Sequence, residues 1–371
     1  MNKSLFLIPL ISLVSCGVAN RQTEAVGDKY HVKYAKGFEV ESFENYTLVK
    51  IRNPWDTTLL LQKYILIDRN KEVPSHLPAG TIVRTPLERV VAYGSTHCSA
   101  LDELEKIQQI VGVCESRYID IPYIQNGVKN GTILDLGEAT APDVEKLIEL
   151  NAEAIMTSPF QNVGYGRVGK CGIPLIECAD YMEATPLGRA EWIRFHALFY
   201  QEEKRADSIF SETESAYLNV KDLALNAKHR PTLLTERKNG PSWYVPGGNS
   251  YMANLYKDAG VHYIWEENQE AGSLPLSAEE VLDKAGEADF WLIKYNSKSP
   301  LTYGQMKDDY ALNAQFDAWK NRNIYVANTG EVPFYEEMPL HPDRLLKDLV
   351  SIFHPELMPG YETRYFSKMK E

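Results

Sequence analysis

Residues 143–156, Asp-Val-Glu-Lys-Leu-Ile-Glu-Leu-Asn-Ala-Glu-Ala-Ile-Met, are echoed at 278–293 by Ala-Glu-Glu-Val-Leu-Asp-Lys-Ala-Gly-Glu-Ala-Asp-Phe-Trp-Leu-Ile. Each copy opens on a helix-capping cluster, continues as a short amphipathic helix ending in a small polar pair, and runs into an apolar strand. One unit used twice predicts two similar α/β lobes with a cleft between them. Glu145 and Glu279 fall at equivalent points of the two copies.

Strands and helices alternate on either side of each copy, which predicts an α/β fold with parallel central sheets. In the first lobe, Arg89-Val90-Val91-Ala92 reads as a strand, Ser95-Thr96 as a small polar loop and Ala100 to Gln109 as a helix. Val111-Gly112-Val113 and Ile173 to Cys178 read as further strands. Thr185-Pro186 places a cap and a first-turn proline at a helix start. No Gly or Pro interrupts Arg189 to Arg230, so a helical bridge, with a break near Gln201, reaches about Lys228. The second lobe restarts at Pro231 and ends on a helix beginning at His341-Pro342. Upstream, residues 30–75 alternate in hydropathy as an antiparallel β-rich extension does. The domains expected are therefore 1–16, a signal; 17–80, tether and extension; 81–184, the first lobe; 185–229, the bridge; and 230–371, the second lobe.

At 371 residues and 44% hydrophobic, the chain can build a core in each lobe. A formal net charge of −12 excludes a non-specific nucleic-acid binder. The N-terminus carries Lys3, an apolar run from Leu5 to Val14, and Leu13-Val14-Ser15-Cys16. This resembles a lipoprotein signal cleaved before Cys16, whose lipidated thiol would be the only membrane attachment. The location expected is the periplasm, anchored by lipid to a bacterial membrane. Cys98, Cys114, Cys171 and Cys178 have no metal-ligand spacing, and free buried thiols are expected.

The order Arg89-Val90-Val91-Ala92, Val111-Gly112-Val113, Gly137, Gly172-Ile173-Pro174, the bridge, Pro246-Gly247-Gly248-Asn249-Ser250 and Ala259-Gly260 resembles ABC-importer substrate-binding proteins of the iron-siderophore and cobalamin type. The likeness spans about residues 80–353. It implies a monomeric receptor that docks on a permease dimer with its ATPase subunits, through one surface glutamate per lobe. By position these are Glu145 and Glu279, with Glu280 as a neighbour.

Ligands of open parallel sheets sit beyond the carboxyl ends of strands. That rule selects Tyr93, Ser95, Thr96, His97, Ser158, Phe160, Gln161, Asn162, Tyr165 and Arg167 from the first lobe. From the second it selects Arg237, Trp243, Tyr244, Asn249, Ser250, Lys294, Tyr295, Asn296, Asn328 and Thr329. Aromatic walls would grip the ligand by area, and Arg167, Arg237 and Lys294 would oppose negative charge. The ligand class ranked first is a ferric siderophore or related chelate, then cobalamin, then haem. No catalytic residue, protein-bound metal or cofactor is expected. Gly164-Tyr165-Gly166-Arg167-Val168-Gly169 fits the dinucleotide spacing but lacks the following helix. A two-lobed metal-chelating enzyme and a purely structural lipoprotein are the rival classes.

Overall fold

The computed structural model describes residues 27–371. The signal and Cys16 lie outside the described residues. The first sheet runs in chain order: β1 (Asp28–Lys29), β2 (Phe38–Ser42), β3 (Thr47–Arg52), β4 (Leu60–Asp68) and β5 (Thr81–Thr85). Strands β1 to β4 pair antiparallel, whereas β5 lies parallel to β4, so the extension sheet continues past residue 80 to Thr85.

This sheet shares its core with the first lobe. Alternation turns Phe38, Val40, Val49, Ile51 and Tyr64 inward against Trp192, Phe195 and Phe199, with the Phe38 and Trp192 rings 5.0 Å apart. Two buried carboxylates lock the chain ahead of β2. Glu191 accepts the backbone N–H groups of Lys33, Tyr34 and Ala35, and Glu183 accepts those of Lys36 and Gly37. Hydrogen bonds from several donors are what make a buried carboxylate tolerable.

The first lobe comprises β6 (Val90–Ala92), α1 (Ser95–Glu103), β7 (Ile110–Val113), α2 (Pro122–Asn130), β8 (Leu134–Asp135), α3 (Val144–Glu149), β9 (Ala154–Thr157) and β10 (Leu175–Glu177). Its strand order is β10-β9-β6-β7-β8, all parallel. The residues expected to form a loop at 95–96 are instead the first turn of α1. Gly94 supplies the extended cap (φ −140°, ψ 165°), and the helix ends at Glu103.

The bridge consists of α4 (Pro186–Ala190), α5 (Trp192–Leu198) and α6 (Glu203–Ala224). Thr185 caps α4 by accepting from the Gly188 N–H, and the break falls at Gln201, whose φ is 57°. Helix α6 has 22 residues, about 33 Å at 1.5 Å each. It stops short of Lys228 because the Asn226 side-chain amide donates to the carbonyls of Asp222 and Leu223, satisfying groups that a further turn would use.

The second lobe follows with β11 (Thr232–Thr235), β12 (Lys238–Asn239), β13 (Ser242–Pro246), α7 (Tyr251–Asp258), β14 (His262–Tyr263), β15 (Ser273–Leu276) and α8 (Ala278–Ala285). It continues with β16 (Phe290–Tyr295), α9 (Tyr303–Asp309), α10 (Asp317–Lys320), β17 (Ile324–Asn328), α11 (Phe334–Glu337), α12 (Pro342–Phe353) and β18 (Ser367–Lys368). Its main sheet has the order β14-β11-β16-β17-β18, parallel except at β18. In both sheets the lobe's first strand lies between the next strand of that sheet and the strand of the echoed unit: β7-β6-β9-β10 matches β14-β11-β16-β17. The echoed sequence unit thus occupies one place twice, as α3 into β9 and α8 into β16. Glu145 and Glu279 are each the second residue of their helix.

Among the described residues all four cysteines are free thiols, three of them buried; Cys171 is partly exposed. Burial pushes the Cys114 thiol up to about 12.

Candidate functional site

The carboxyl ends of the two parallel sheets face a cavity of about 880 Å³ bounded by both lobes. From the first lobe come Ser95, in the opening turn of α1, and Arg117, Tyr118 and Asp120, which follow β7. From the second come Lys294 and Tyr295 at the end of β16, the loop through Lys298, Thr329 to Glu331 after β17, and Tyr335 and Glu336 on α11. The Asn328 side chain braces the two second-lobe loops. It accepts the backbone N–H groups of Ser297 and Gly330 and donates to the Ser297 carbonyl.

Charge in this cavity is mixed. The Arg117 guanidinium is 2.9 Å from Glu138 and lies over the Tyr118 ring at 4.6 Å. Lys294 pairs with Glu236. Among the described residues no carboxylate lies within ion-pair distance of Lys298, so its ammonium is available to a ligand. Burial pushes the Glu336 carboxyl upward.

A second cavity of about 600 Å³ adjoins the start of α1 on the first-lobe side, since Ser95 lines one space and Thr96 the other. Tyr93, Thr96, His97, Phe160, Tyr165 and Arg167 line it. Tyr93 and His97 are buried, and the Tyr93 hydroxyl and His97 Nδ1 have no hydrogen-bond partner. Burial holds the His97 imidazole below its usual range, so it is neutral at pH 7. His196 packs beside it with ring centroids 6.4 Å apart, and burial lowers that imidazole to about 3. His196 is a core histidine of the bridge, as its place with Trp192 and Phe199 on one helical face indicates.

The structure places the sequence-derived residues unequally. Twelve of them line one of these two cavities: Tyr93, Ser95, Thr96, His97, Ser158, Phe160, Tyr165, Arg167, Lys294, Tyr295, Asn296 and Thr329. Arg237 does not reach them. It lines a separate space of about 500 Å³ beside Lys294 and is paired with Asp309 at 3.1 Å. Trp243 is a correction: it is wholly buried, stacks on Trp291 with centroids 5.5 Å apart, and donates its indole N–H to the Thr235 carbonyl. The reason is topological. Strand β13 belongs to an antiparallel sheet of order β12-β13-β15, so its carboxyl end does not open on the cleft.

Alternation turns Tyr244 outward, away from the cavities, and Ser250 caps α7 by accepting from the Ala253 N–H. Asn249 donates its side-chain amide to the Gln269 carbonyl. The glycines beside them serve close packing: a Cβ on Gly247 would meet the Glu270 carbonyl at 2.2 Å. Arg117, Tyr118, Asp120, Lys298, Tyr335 and Glu336 escaped the sequence reading. The strand-end rule applied to Val113 would have found the first three.

An architecture of two α/β lobes, one helical bridge and a cavity at facing strand ends defines a bilobed solute-binding protein. The family model for periplasmic binding proteins matches residues 90–329, and the chain belongs to that family. It is a solute-binding protein of the type that serves ABC transporters, not an enzyme.

The chain is 27% identical over 361 residues to an uncharacterized lipoprotein of Methanocaldococcus jannaschii, covering 91% of this chain and 85% of the relative. Among solved structures, it resembles a periplasmic heme-binding protein from Pseudomonas aeruginosa (TM-score 0.59, 16% identity, 77% of this chain and 99% of the other). It also resembles a possible iron-binding periplasmic solute-binding protein from Staphylococcus epidermidis (TM-score 0.57, 17% identity, 73% and 100%). At these identities the likeness concerns the fold. No helix among the described residues is long and apolar enough to cross a membrane.

Proposed function

We propose that this chain is the lipid-anchored receptor of an ABC importer, capturing a ferric siderophore or related iron chelate between its lobes and delivering it to the permease. The observation that carries the reading is the interlobe cavity: about 880 Å³, walled by Tyr118, Tyr295 and Tyr335, with the Lys298 ammonium free of a carboxylate partner. That volume suits a ligand of chelate size, and tyrosines on facing walls suit recognition by area with polar anchors. Among the described residues no group of three or more His, Cys, Asp or Glu could hold a metal ion. Anchoring through Cys16 extends the same proposal to the N-terminus.

Glu145 and Glu279 are the proposed docking pair. Both are exposed, both stand at the second position of the echoed helices, and no described cation pairs with either. Carboxylates at matching places on two lobes suit a permease dimer, where charge complementarity sets orientation and on-rate.

Fluorescence titration of the purified chain, corrected for ligand absorption, tests the ligand class. A ferric trihydroxamate or catecholate should quench saturably, and Lys298→Ala should weaken an anionic chelate about tenfold, the worth of one charge-assisted contact. Saturation by cyanocobalamin or haemin alone would move the assignment to a corrinoid or tetrapyrrole. No saturable binding would remove the receptor reading.

A further inference from the structure

The extension sheet reaches the solute-binding face at one place. The chain between β3 and β4 carries Trp55 and Asp56 over the loop that follows β9, and a cavity of about 490 Å³ lies between them. Its walls combine Trp55, Phe160 and Tyr165 with two carboxylates, Asp56 and Glu177. No Lys, Arg or His lines it.

Glu177 is the unusual member. It ends β10 with only 7% of its surface exposed, yet no described cation lies within ion-pair distance. Its carboxylate accepts one hydrogen bond, from the Tyr165 hydroxyl at 2.7 Å. Its backbone is fixed as well: the Glu177 N–H donates to the Tyr64 hydroxyl at 2.8 Å, and that hydroxyl donates to the Leu175 carbonyl at 2.9 Å. A strand of the extension therefore fixes the backbone of Glu177, and Tyr165 orients its carboxylate. Glu183 and Glu191, the other buried glutamates here, are saturated by several donors each; Glu177 is not. Burying a carboxylate without a counter-charge is costly, and a cation supplied by a ligand removes that cost.

Asp56 adds a second negative charge at the exposed edge, where Thr58 N–H and Oγ donate to it and hold its carboxyl below the usual range. The aromatic faces of Trp55 and Phe160 complete the setting. The Phe160 ring lies 6.0 Å from that of Tyr181 and stays 58% exposed, so part of its face is open to the pocket. Aromatic faces and carboxylates together select organic cations.

We infer that the pocket between the extension and the first lobe is a subsite for an alkylammonium group. A third of its lining, Asn53, Trp55, Asp56 and Leu61, lies outside the stretch 90–329 that the family model matches. Phe160 and Tyr165 also line the first-lobe cavity, so the pocket adjoins the solute-binding face. The ammonium is either the arm of a solute held there or a separate amine. The inference does not depend on the solute being an iron chelate.

Saturation-transfer NMR and calorimetry on the purified chain, with pentylammonium, 1-pentanol and hexanoate as probes, test it. Pentylammonium should bind at least tenfold more tightly than the other two. Glu177→Gln should weaken it about tenfold, and Trp55→Ala threefold to tenfold, the range of a buried charge contact and a cation–π contact. Equal binding of pentanol and pentylammonium overturns the inference, as does unchanged pentylammonium affinity in a folded Glu177→Gln protein. If that variant misfolds, Trp55→Ala decides: unchanged ammonium affinity there overturns the inference equally. A ferric trihydroxamate with a free terminal amine, compared with its N-acetylated form, separates the two sources. Tighter binding of the amine form in the wild type but not in Trp55→Ala identifies a solute arm. Equal binding of both forms identifies a separate amine, and the N-acetylated form still tests the interlobe site by itself.

Discussion

The two lobes order their four corresponding parallel strands identically, yet they present different surfaces to the cleft. The first lobe offers the opening turn of α1 and two buried polar atoms without partners, the Tyr93 hydroxyl and His97 Nδ1. The second offers exposed loops after β16 and β17, braced by Asn328. What repeats is the frame, including the helix starts that carry Glu145 and Glu279. What does not repeat is the set of loops that meet a ligand. On the function proposed above, duplication would fix where the receptor stands on a two-fold partner, and divergence of the loops would set what it holds.

The sharpest way to break that division is to reverse both charges on the frame. Glu145→Arg with Glu279→Arg should lower uptake in cells at least about 100-fold, because juxtaposed like charges cost several kcal/mol. Solute affinity of the purified variant should stay within about twofold, an affinity ratio worth less than ~0.5 kcal/mol. Unchanged transport would show that the repeated helix starts are capping features only.

Next in size is the contrast between neighbours on β13. Trp243→Ala opens a hole beside Trp291 and should cost about 3–5 kcal/mol in chemical denaturation. Tyr244→Ala, on the opposite face, should cost below about 0.5 kcal/mol, with solute affinity unchanged. A large loss of affinity in Tyr244→Ala would return that residue to the cleft.

A smaller effect follows from the neutral imidazoles of His97 and His196. Both bind protons less readily folded than unfolded, and the unfolded value is about 6.5. Their contribution is therefore complete above about pH 6.5 and is lost as pH falls toward about 3, the His196 value. The slope is up to ~1.4 kcal/mol per pH unit for each group. Denaturation between pH 7 and 5 should show a loss of about 2–4 kcal/mol from the pair. His196→Gln should reduce that loss by about 2 kcal/mol; an unaltered pH slope would show that His196 is not neutral when folded.

The fold was legible because its signals are local. The echoed helix and strand, Thr185-Pro186 before α4, the break at Gln201 and His341-Pro342 before α12 all report on chain conformation within a few residues. The cleft was half legible. Strand-end reasoning works where a strand belongs to the parallel sheet, and it found Lys294 and Tyr295 for that reason. It failed at Trp243, where an apolar strand before a Pro-Gly-Gly loop looks the same in an antiparallel side sheet. The pocket under Trp55 was invisible for another reason. Nothing local brings residue 55 to residue 177; the packing of the extension on the first lobe and the bridge does so, through Tyr64 at Glu177 and through Glu183 and Glu191.

The central claim is that an iron chelate sits between the lobes. Diffraction at the iron absorption edge from crystals grown with a ferric trihydroxamate tests it most directly. The account predicts one iron peak in the cavity bounded by Ser95, Tyr118, Tyr295, Lys298 and Tyr335, with density from the chelate touching both lobes. Crystals saturated with chelate that show no iron there, or iron only at another surface, would contradict it.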